Sequence, residues 1–150
     1  MVPWLFEGLE MLLYKPTGAV HPNAAVVIDG HTRLERGDLD AIRRMFSADI
    51  IWHESGVVPP ARRYVGVEDV MKYWKVYFGA AGAGFQQDIV SIMANDEYAT
   101  SIVQMRGSKT SLSFTGTAVD VMRMDAGLIV EFWRYYDNFE LARAFFAGPS

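Results

Sequence analysis

The sequence contains no cysteine, which excludes disulfide bonds, thiolate nucleophiles and cysteine metal sites. Its three histidines lack the spacing of metal ligands, so we expect no metal. No apolar run is long enough to cross a membrane. The apolar N-terminus has no basic segment typical of a signal peptide. We therefore expect a cytoplasmic protein without a membrane partner.

Excess positive charge is also missing. The net charge of -4 argues against a nucleic-acid partner. The stretch "GAAGAG" lacks the lysine and the strand–loop–helix context of a phosphate loop, and we expect no cofactor. What is present is a chain of 150 residues, 51% hydrophobic and 13% aromatic, which fits one globular domain. Such a composition suits a deep apolar pocket, an apolar interface or simply a large aromatic core.

The order of predicted elements indicates the α+β class. Residues 1–22 form an N-terminal extension, and residues 23–150 form the folded domain. Helical periodicity and turn signals predict helices first and hairpin strands afterwards, which places helices on one face of an antiparallel sheet. The predicted helices cover residues 24–36, 39–46, 67–78 and 138–147, and the predicted strands cover residues 49–55, 85–94, 98–107, 111–124 and 128–137.

One carboxylate stands out in the strand "TAVDVMRMD". Burying Asp120 among valines and methionines costs free energy unless a partner compensates the charge. Alternation along the strand places Ala118, Asp120 and Met122 on one face. Asp120 therefore faces either water or an enclosed site where it has a function.

Three stretches of the sequence resemble a known superfamily. They are "GDLDAIRRMFSADIIWHE", "YVGVEDVMKYW" and "VDVMRMDAGLIVEFWRYYD", followed by the closing amphipathic helix. Together they resemble the nuclear transport factor 2-like superfamily, and its nearest branches are SnoaL-like polyketide cyclases and ketosteroid isomerases. The resemblance implies a cone: a curved antiparallel sheet wrapped around N-terminal helices, with an apolar pocket at the open end. It also implies a homodimer.

The same resemblance suggests catalytic residues. "VDVMRMD" is similar to the isomerase strand that carries a protonated aspartic acid, which donates a hydrogen bond to the developing oxyanion. The matching residue is Asp120. The general base of that family falls on Glu54 in "SADIIWHES", where alternation places Ile50, Trp52 and Glu54 on one face.

Two positions depart from the isomerase pattern. The tyrosine of the isomerase oxyanion hole falls on or near Gly30, which has no side chain. Arg134 shares its strand face with Phe132 and Tyr136, and a guanidinium there would keep Glu54 or Asp120 ionised. The limonene epoxide hydrolases, another branch, use an Asp-Arg-Asp set. In this sequence the Arg and the first Asp of that set fall near Val103 and Met105, which are apolar, and the second Asp falls on Arg134. The epoxide hydrolase reaction is therefore disfavoured.

We therefore predict a cofactor-independent enzyme that transfers protons on a small hydrophobic substrate, of the isomerase, cyclase or dehydratase type. Its catalytic residues are Glu54 and Asp120. The alternative is a non-catalytic domain for ligand binding or dimerisation. The predicted substrate-binding residues are His31, Trp52, Met122, Phe132, Arg134 and Tyr136.

Three structural expectations follow. Trp52, Glu54, Asp120, Phe132 and Arg134 should line one cavity. The opposite sheet face, which is also apolar, should be covered in a two-fold homodimer. The apolar segment "WLFEGLEMLLY" should pack as a short helix over the domain or across the dimer, so that deletion of residues 1–20 lowers thermal stability.

Overall fold

The computed structural model describes residues 18–149. The chain forms four helices and six strands over this range. The helices are α1 (Pro22–Glu35), α2 (Leu39–Arg43), α3 (Val67–Ala81) and α4 (Phe139–Ala147). The strands are β1 (Phe46–Glu54), β2 (Arg62–Val65), β3 (Gln86–Ala94), β4 (Tyr98–Ser108), β5 (Ser113–Asp125) and β6 (Leu128–Tyr136).

The strands form one open sheet in the order β2-β1-β6-β5-β4-β3. Neighbouring strands run antiparallel except β1 and β6, which are parallel. The register shifts within the β1–β6, β3–β4 and β5–β6 pairs, and such irregularities bend a sheet. The predicted α+β class and the curved sheet are confirmed. The parallel pair was not predicted, because hairpin signals report only neighbours in sequence.

Two boundaries differ from the sequence prediction near the start of the sheet. Helix α2 ends at Arg43, and Phe46 is the first residue of β1 rather than part of the helix. Asp38 caps the start of α2, because its side chain accepts a hydrogen bond of 3.0 Å from the backbone N–H of Ala41. Strand β2 was not among the predicted strands; it is short and mostly exposed, so little hydrophobic patterning marks it.

The core lies between the helices and the concave face of the sheet. Val27 of α1, Val70 and Tyr77 of α3 and Phe145 of α4 belong to one buried cluster with the inward residues of the strands. Asn23 fixes the start of α1, because its side-chain amide donates to the carbonyls of Asn95 and Asp96 in the β3–β4 turn. Helix α1 is thereby held across the sheet, where it carries His31 toward the interior.

No helix within residues 18–149 is long and apolar enough to span a membrane. The segment "WLFEGLEMLLY" lies outside the described residues, so its predicted packing stays a prediction. The domain boundary predicted between residues 22 and 23 also stays a prediction.

Candidate functional site

Asp120 points into the molecule and forms an ion pair. Only 6% of the residue is exposed. It lies directly opposite Arg134 in the β5–β6 register. The guanidinium donates two parallel hydrogen bonds to the carboxylate: Nε to Oδ1 at 2.6 Å and Nη2 to Oδ2 at 2.7 Å. An aspartate in this arrangement is ionised and has no proton to donate, so the neutral-acid role suggested by the isomerase resemblance does not fit this geometry.

Arg134 is the centre of a wider network. Its Nη1 donates to the Tyr77 hydroxyl at 3.0 Å and to Gln87 Oε1 at 3.1 Å. Burial is the largest influence and lowers the pKa of Arg134, but the charge and hydrogen bonds of Asp120, together with Tyr77 and Tyr136, outweigh it and hold the pKa well above its ordinary value. These four hydrogen bonds leave one guanidinium N–H without an acceptor among the residues that the structure describes.

Glu54 is also buried, at 7% exposure, but its contacts are different. Its Oε1 accepts from the backbone N–H groups of Gly56, at 2.7 Å, and Val58, at 3.3 Å. Its Oε2 accepts from the Tyr73 hydroxyl. Burial, followed by the charge of Glu54, raises the pKa of Tyr73, which therefore stays protonated and keeps donating. Glu54 thus fixes both the loop after β1 and the hydroxyl of Tyr73.

The two carboxylates line different cavities, which lie next to each other. The larger, about 90 Å³, is lined by Trp52, Asp120, Phe132 and Arg134, as predicted, and also by the predicted Met122 and His31. The smaller, about 40 Å³, is lined by Glu54 and Tyr136 together with Trp52 and Arg134. The single cavity expected from strand parity is therefore divided in two, with Glu54 and Asp120 on different sides and Arg134 facing both.

The two cavities share Trp52, Trp74, Gln87 and Arg134 in their walls. Trp52 and Phe132 occupy opposed positions in the β1–β6 register, and their rings stack at 3.7 Å between centroids. Trp74 of α3 closes over them in an edge contact with Trp52 at 5.7 Å. Strand parity brings the first two residues to the concave face. Their mutual stacking is a tertiary contact in the wall of the larger cavity.

A groove of about 710 Å³ lies outside the larger cavity. The two spaces share His31, Leu34, Trp74 and Gln87 in their walls. The groove has the volume of an ordinary small-molecule site, whereas the cavities have room only for a small group. A ligand therefore fits best with its body in the groove and a small end in the larger cavity.

His31 lies at the junction of the groove and the larger cavity. Its Nε2 atom is buried without a hydrogen-bond partner. Burial lowers the pKa of His31, and the nearby charges of Glu35 and Asp88 partly oppose that shift. The ligand atoms of these three residues lie within 4.8 Å of one another, so they form the group among the described residues most suited to a metal ion.

Gly30 explains how the larger cavity is closed beside His31. A Cβ atom at this position would meet Met45 Sδ at 2.4 Å, so the methionine side chain occupies the space that a larger residue would need. The tyrosine that the isomerases carry at this position has no equivalent here, as the sequence indicated, and a flexible apolar side chain takes its place.

Sequence reasoning missed three polar residues of the site. Tyr73 and Tyr77 lie one turn apart on α3, and both hydroxyls reach the carboxylate and guanidinium network. Their i, i+4 spacing on one helix face is a signal that could have found them. Gln87 had no such signal, because a single glutamine on a strand is ordinarily exposed.

The arrangement can hold a developing negative charge. It presents the Arg134 guanidinium with a remaining N–H, the Tyr77 hydroxyl and an imidazole around small aromatic cavities. In such surroundings, fixed donors stabilise an enolate or alkoxide more strongly than water does.

Comparison with known proteins supports the fold and the family. No curated protein sequence matches the chain significantly. Among solved structures, Bal32a from a soil-derived mobile gene cassette is 17% identical, with a TM-score of 0.76 over 83% of this chain and 96% of that one. An NTF2-like protein of unknown function from Burkholderia pseudomallei is 20% identical, with a TM-score of 0.72 over 83% and 97%.

A third similar structure contains a ligand. TerC, co-crystallised with polyporic acid, is 12% identical, with a TM-score of 0.67 over 78% of this chain and 92% of that one. These likenesses establish the NTF2-like cone fold. The model of the SnoaL-like domain matches residues 27–132, which include β1, β5 and most of the cavity walls. The chain therefore belongs to the SnoaL-like domain family, within the nuclear transport factor 2-like superfamily.

Proposed function

We propose that this protein is a cofactor-independent enzyme that transfers protons on a small hydrophobic carbonyl compound, in an isomerisation, cyclisation or dehydration. The SnoaL-like family includes polyketide cyclases and isomerases, which supports this class of reaction. The observation that carries the proposal is the buried Arg134, which faces both aromatic cavities and retains a free N–H among the described residues. An enolate oxygen formed in either cavity would meet this cation.

The two carboxylates suggested by the sequence keep a place in this proposal. Asp120 holds the guanidinium in one orientation and keeps it charged. Glu54 holds Tyr73 and the loop that borders the smaller cavity. Fixed donors of this kind stabilise charge without having to reorganise during the reaction. Both residues therefore act through the groups that they position.

A non-catalytic ligand-binding domain is the second candidate. The observation in its favour is that both carboxylates have committed partners, so neither is a free base. The same cavities and groove would then bind an apolar molecule without changing it. A measurement of proton exchange separates the two candidates, because exchange requires an enolate and binding does not.

The test is exchange of the α-protons of small ketones with D₂O, followed by ¹H NMR. Cyclohexenone and 2-tetralone serve as one-ring and two-ring probes, and quenching of tryptophan fluorescence reports binding through Trp52 and Trp74. We expect the protein to accelerate exchange of at least one probe above the buffer rate. Binding without accelerated exchange would favour the second candidate, and neither binding nor exchange would contradict both.

A double variant tests the role of the ion pair. Replacing a buried pair with apolar residues of similar size is often tolerated. Asp120→Leu with Arg134→Met should therefore keep the fold, while exchange falls by about 10²–10³-fold, the range for loss of an oxyanion donor. The matched control replaces the exposed pair of Arg43 and Glu68 with Met and Leu and should leave exchange unchanged. Equal rates in both double variants would contradict the role of Arg134.

A further inference from the structure

We infer that His31 is the base that takes the proton in the proposed reaction; this inference rests on the proposed function. The residue lies where the groove meets the larger cavity and lines both, so a ligand that spans them passes the imidazole. Arg134 lines the same larger cavity. A carbonyl compound bound there therefore has a cation near its oxygen and an imidazole within the same enclosure.

The resting state of His31 suits a base. Burial is the largest influence on the ring and lowers its pKa below the ordinary value, so the neutral form predominates at neutral pH. By contrast, the carboxylates of Glu54 and Asp120 already accept two or three strong hydrogen bonds each. Of these three residues, His31 has the nitrogen lone pair that is free to accept a proton.

Two carboxylates face the imidazole ring of His31 and stabilise the positive charge that the ring gains when it takes up a proton. Nε2 lies 3.5 Å from Glu35 Oε1, one helical turn away on α1. The Asp88 carboxylate, on β3, completes a group whose atoms lie within 4.8 Å of one another. The carboxylates favour a hydrogen on Nε2, which leaves Nδ1 as the accepting nitrogen. They also stabilise the imidazolium once it forms, as a carboxylate beside a catalytic histidine does.

The proton transfer is balanced within the site. The Cα–H bond of the ketone breaks, an N–H bond forms at His31 Nδ1, and the electron pair moves to the carbonyl oxygen. The enolate then faces Arg134. The imidazolium returns the proton to carbon in an isomerisation, to the new alkoxide in a cyclisation, or to the departing hydroxide in a dehydration. No electron donor or acceptor is required.

Charged groups from every side set the pH response of His31. Glu35 and Asp88 raise its pKa, Arg134 lowers it, and Asp120 behind Arg134 raises it. Asp88 is in turn paired with Arg106. Burial outweighs the two neighbouring carboxylates, so the base form persists below pH 6.5. The exchange rate should rise with pH to a plateau, with a midpoint below the pKa of an ordinary histidine.

The test compares His31→Gln with a matched control, His21→Gln, in the ketone exchange assay. His21 lines neither cavity nor the groove: its Nε2 lies 3.1 Å from Asp96 Oδ1, and its Nδ1 accepts a hydrogen bond from the backbone N–H of Asn23. We expect His31→Gln to lower the exchange rate by about 10²–10⁴-fold. Binding of 2-tetralone, measured by fluorescence, should change little. His21→Gln should retain the wild-type rate and pH profile.

A further variant separates a base from a packing residue. Glu35→Gln removes one carboxylate that raises the pKa of His31, so the midpoint of the pH–rate profile should move to lower pH. A purely structural role for His31 predicts no such shift. Wild-type exchange in His31→Gln would overturn the inference and leave the proposed function standing, whereas no exchange by the wild-type protein would overturn the function itself.

A metal ion at the same three residues would also overturn the inference. The exchange assay is therefore repeated with EDTA and then with added Zn²⁺. If His31 is the base, EDTA leaves the rate unchanged and Zn²⁺ either does not bind or inhibits. Loss of exchange in EDTA that Zn²⁺ restores would identify His31 as a metal ligand instead.

Discussion

At the scale of single residues, the ion pair between Asp120 and Arg134 illustrates how burial changes the meaning of a carboxylate. The same sequence motif that would carry a neutral acid in an isomerase here carries an anion, because a guanidinium lies directly across the β5–β6 ladder. Parity in the sequence placed both residues on the concave face. Whether they would bond each other or a ligand depended on side-chain geometry, which parity does not specify.

Asp120→Asn provides the stability test of this pair. Asparagine keeps the shape of the side chain but leaves Arg134 as a buried cation without its counter-charge. Breaking one side of a buried pair costs about 3–5 kcal/mol, so the free energy of unfolding should fall by roughly that amount in urea denaturation. Asp29→Asn is the control, since solvent screens its exposed pair with Arg33 and the pair should contribute little to stability. Similar losses in both variants would show that the Asp120 pair contributes no more to the free energy of unfolding than an exposed pair does.

At the scale of elements, the sequence predicted most helices and strands because their periodicities are long and regular. Alternation in "DIIWHE" correctly placed Trp52 and Glu54 inside, and the β5 pattern did the same for Asp120. The sequence prediction failed where contacts between residues distant in sequence determine the structure. Strand β2 has no apolar alternation, and the two cavities share walls from Trp52, Trp74, Gln87 and Arg134, which lie on different elements.

Helix α1 provides a prediction at this scale. Asn23 is 7% exposed, and its amide donates hydrogen bonds of 2.8 and 3.2 Å to two carbonyls of the β3–β4 turn. Asn23→Ala leaves these acceptors without their donor and should lower the free energy of unfolding by about 1–3 kcal/mol. Glu97→Ala, an exposed change in the same turn, should stay within about 0.5 kcal/mol. Hydrogen exchange would show faster opening of α1 in the first variant, and equal protection in both would contradict this anchoring role.

At the scale of the whole molecule, the outer face of the sheet remains to be accounted for. Val119 and Val121 of β5 and Trp133 of β6 are half-buried on this face, and Tyr135 is 59% exposed. The stacked His53–Trp133 pair and the contacts of Glu131 with His53 and Arg123 lie beside them. Apolar surface bordered by charged groups is typical of a protein interface.

The homodimer predicted from the sequence would use this face. A two-fold axis brings the same patch of each protomer together, so a charge introduced in its centre meets its own copy. Val121→Glu should therefore convert a dimer into monomers in sedimentation velocity at micromolar concentration. Leu141→Glu, at an exposed apolar residue on α4, is the matched control and should leave the dimer intact. A wild-type protein that sediments only as a monomer at these concentrations would contradict the prediction, and a dimer that persists in Val121→Glu would place the interface on another surface.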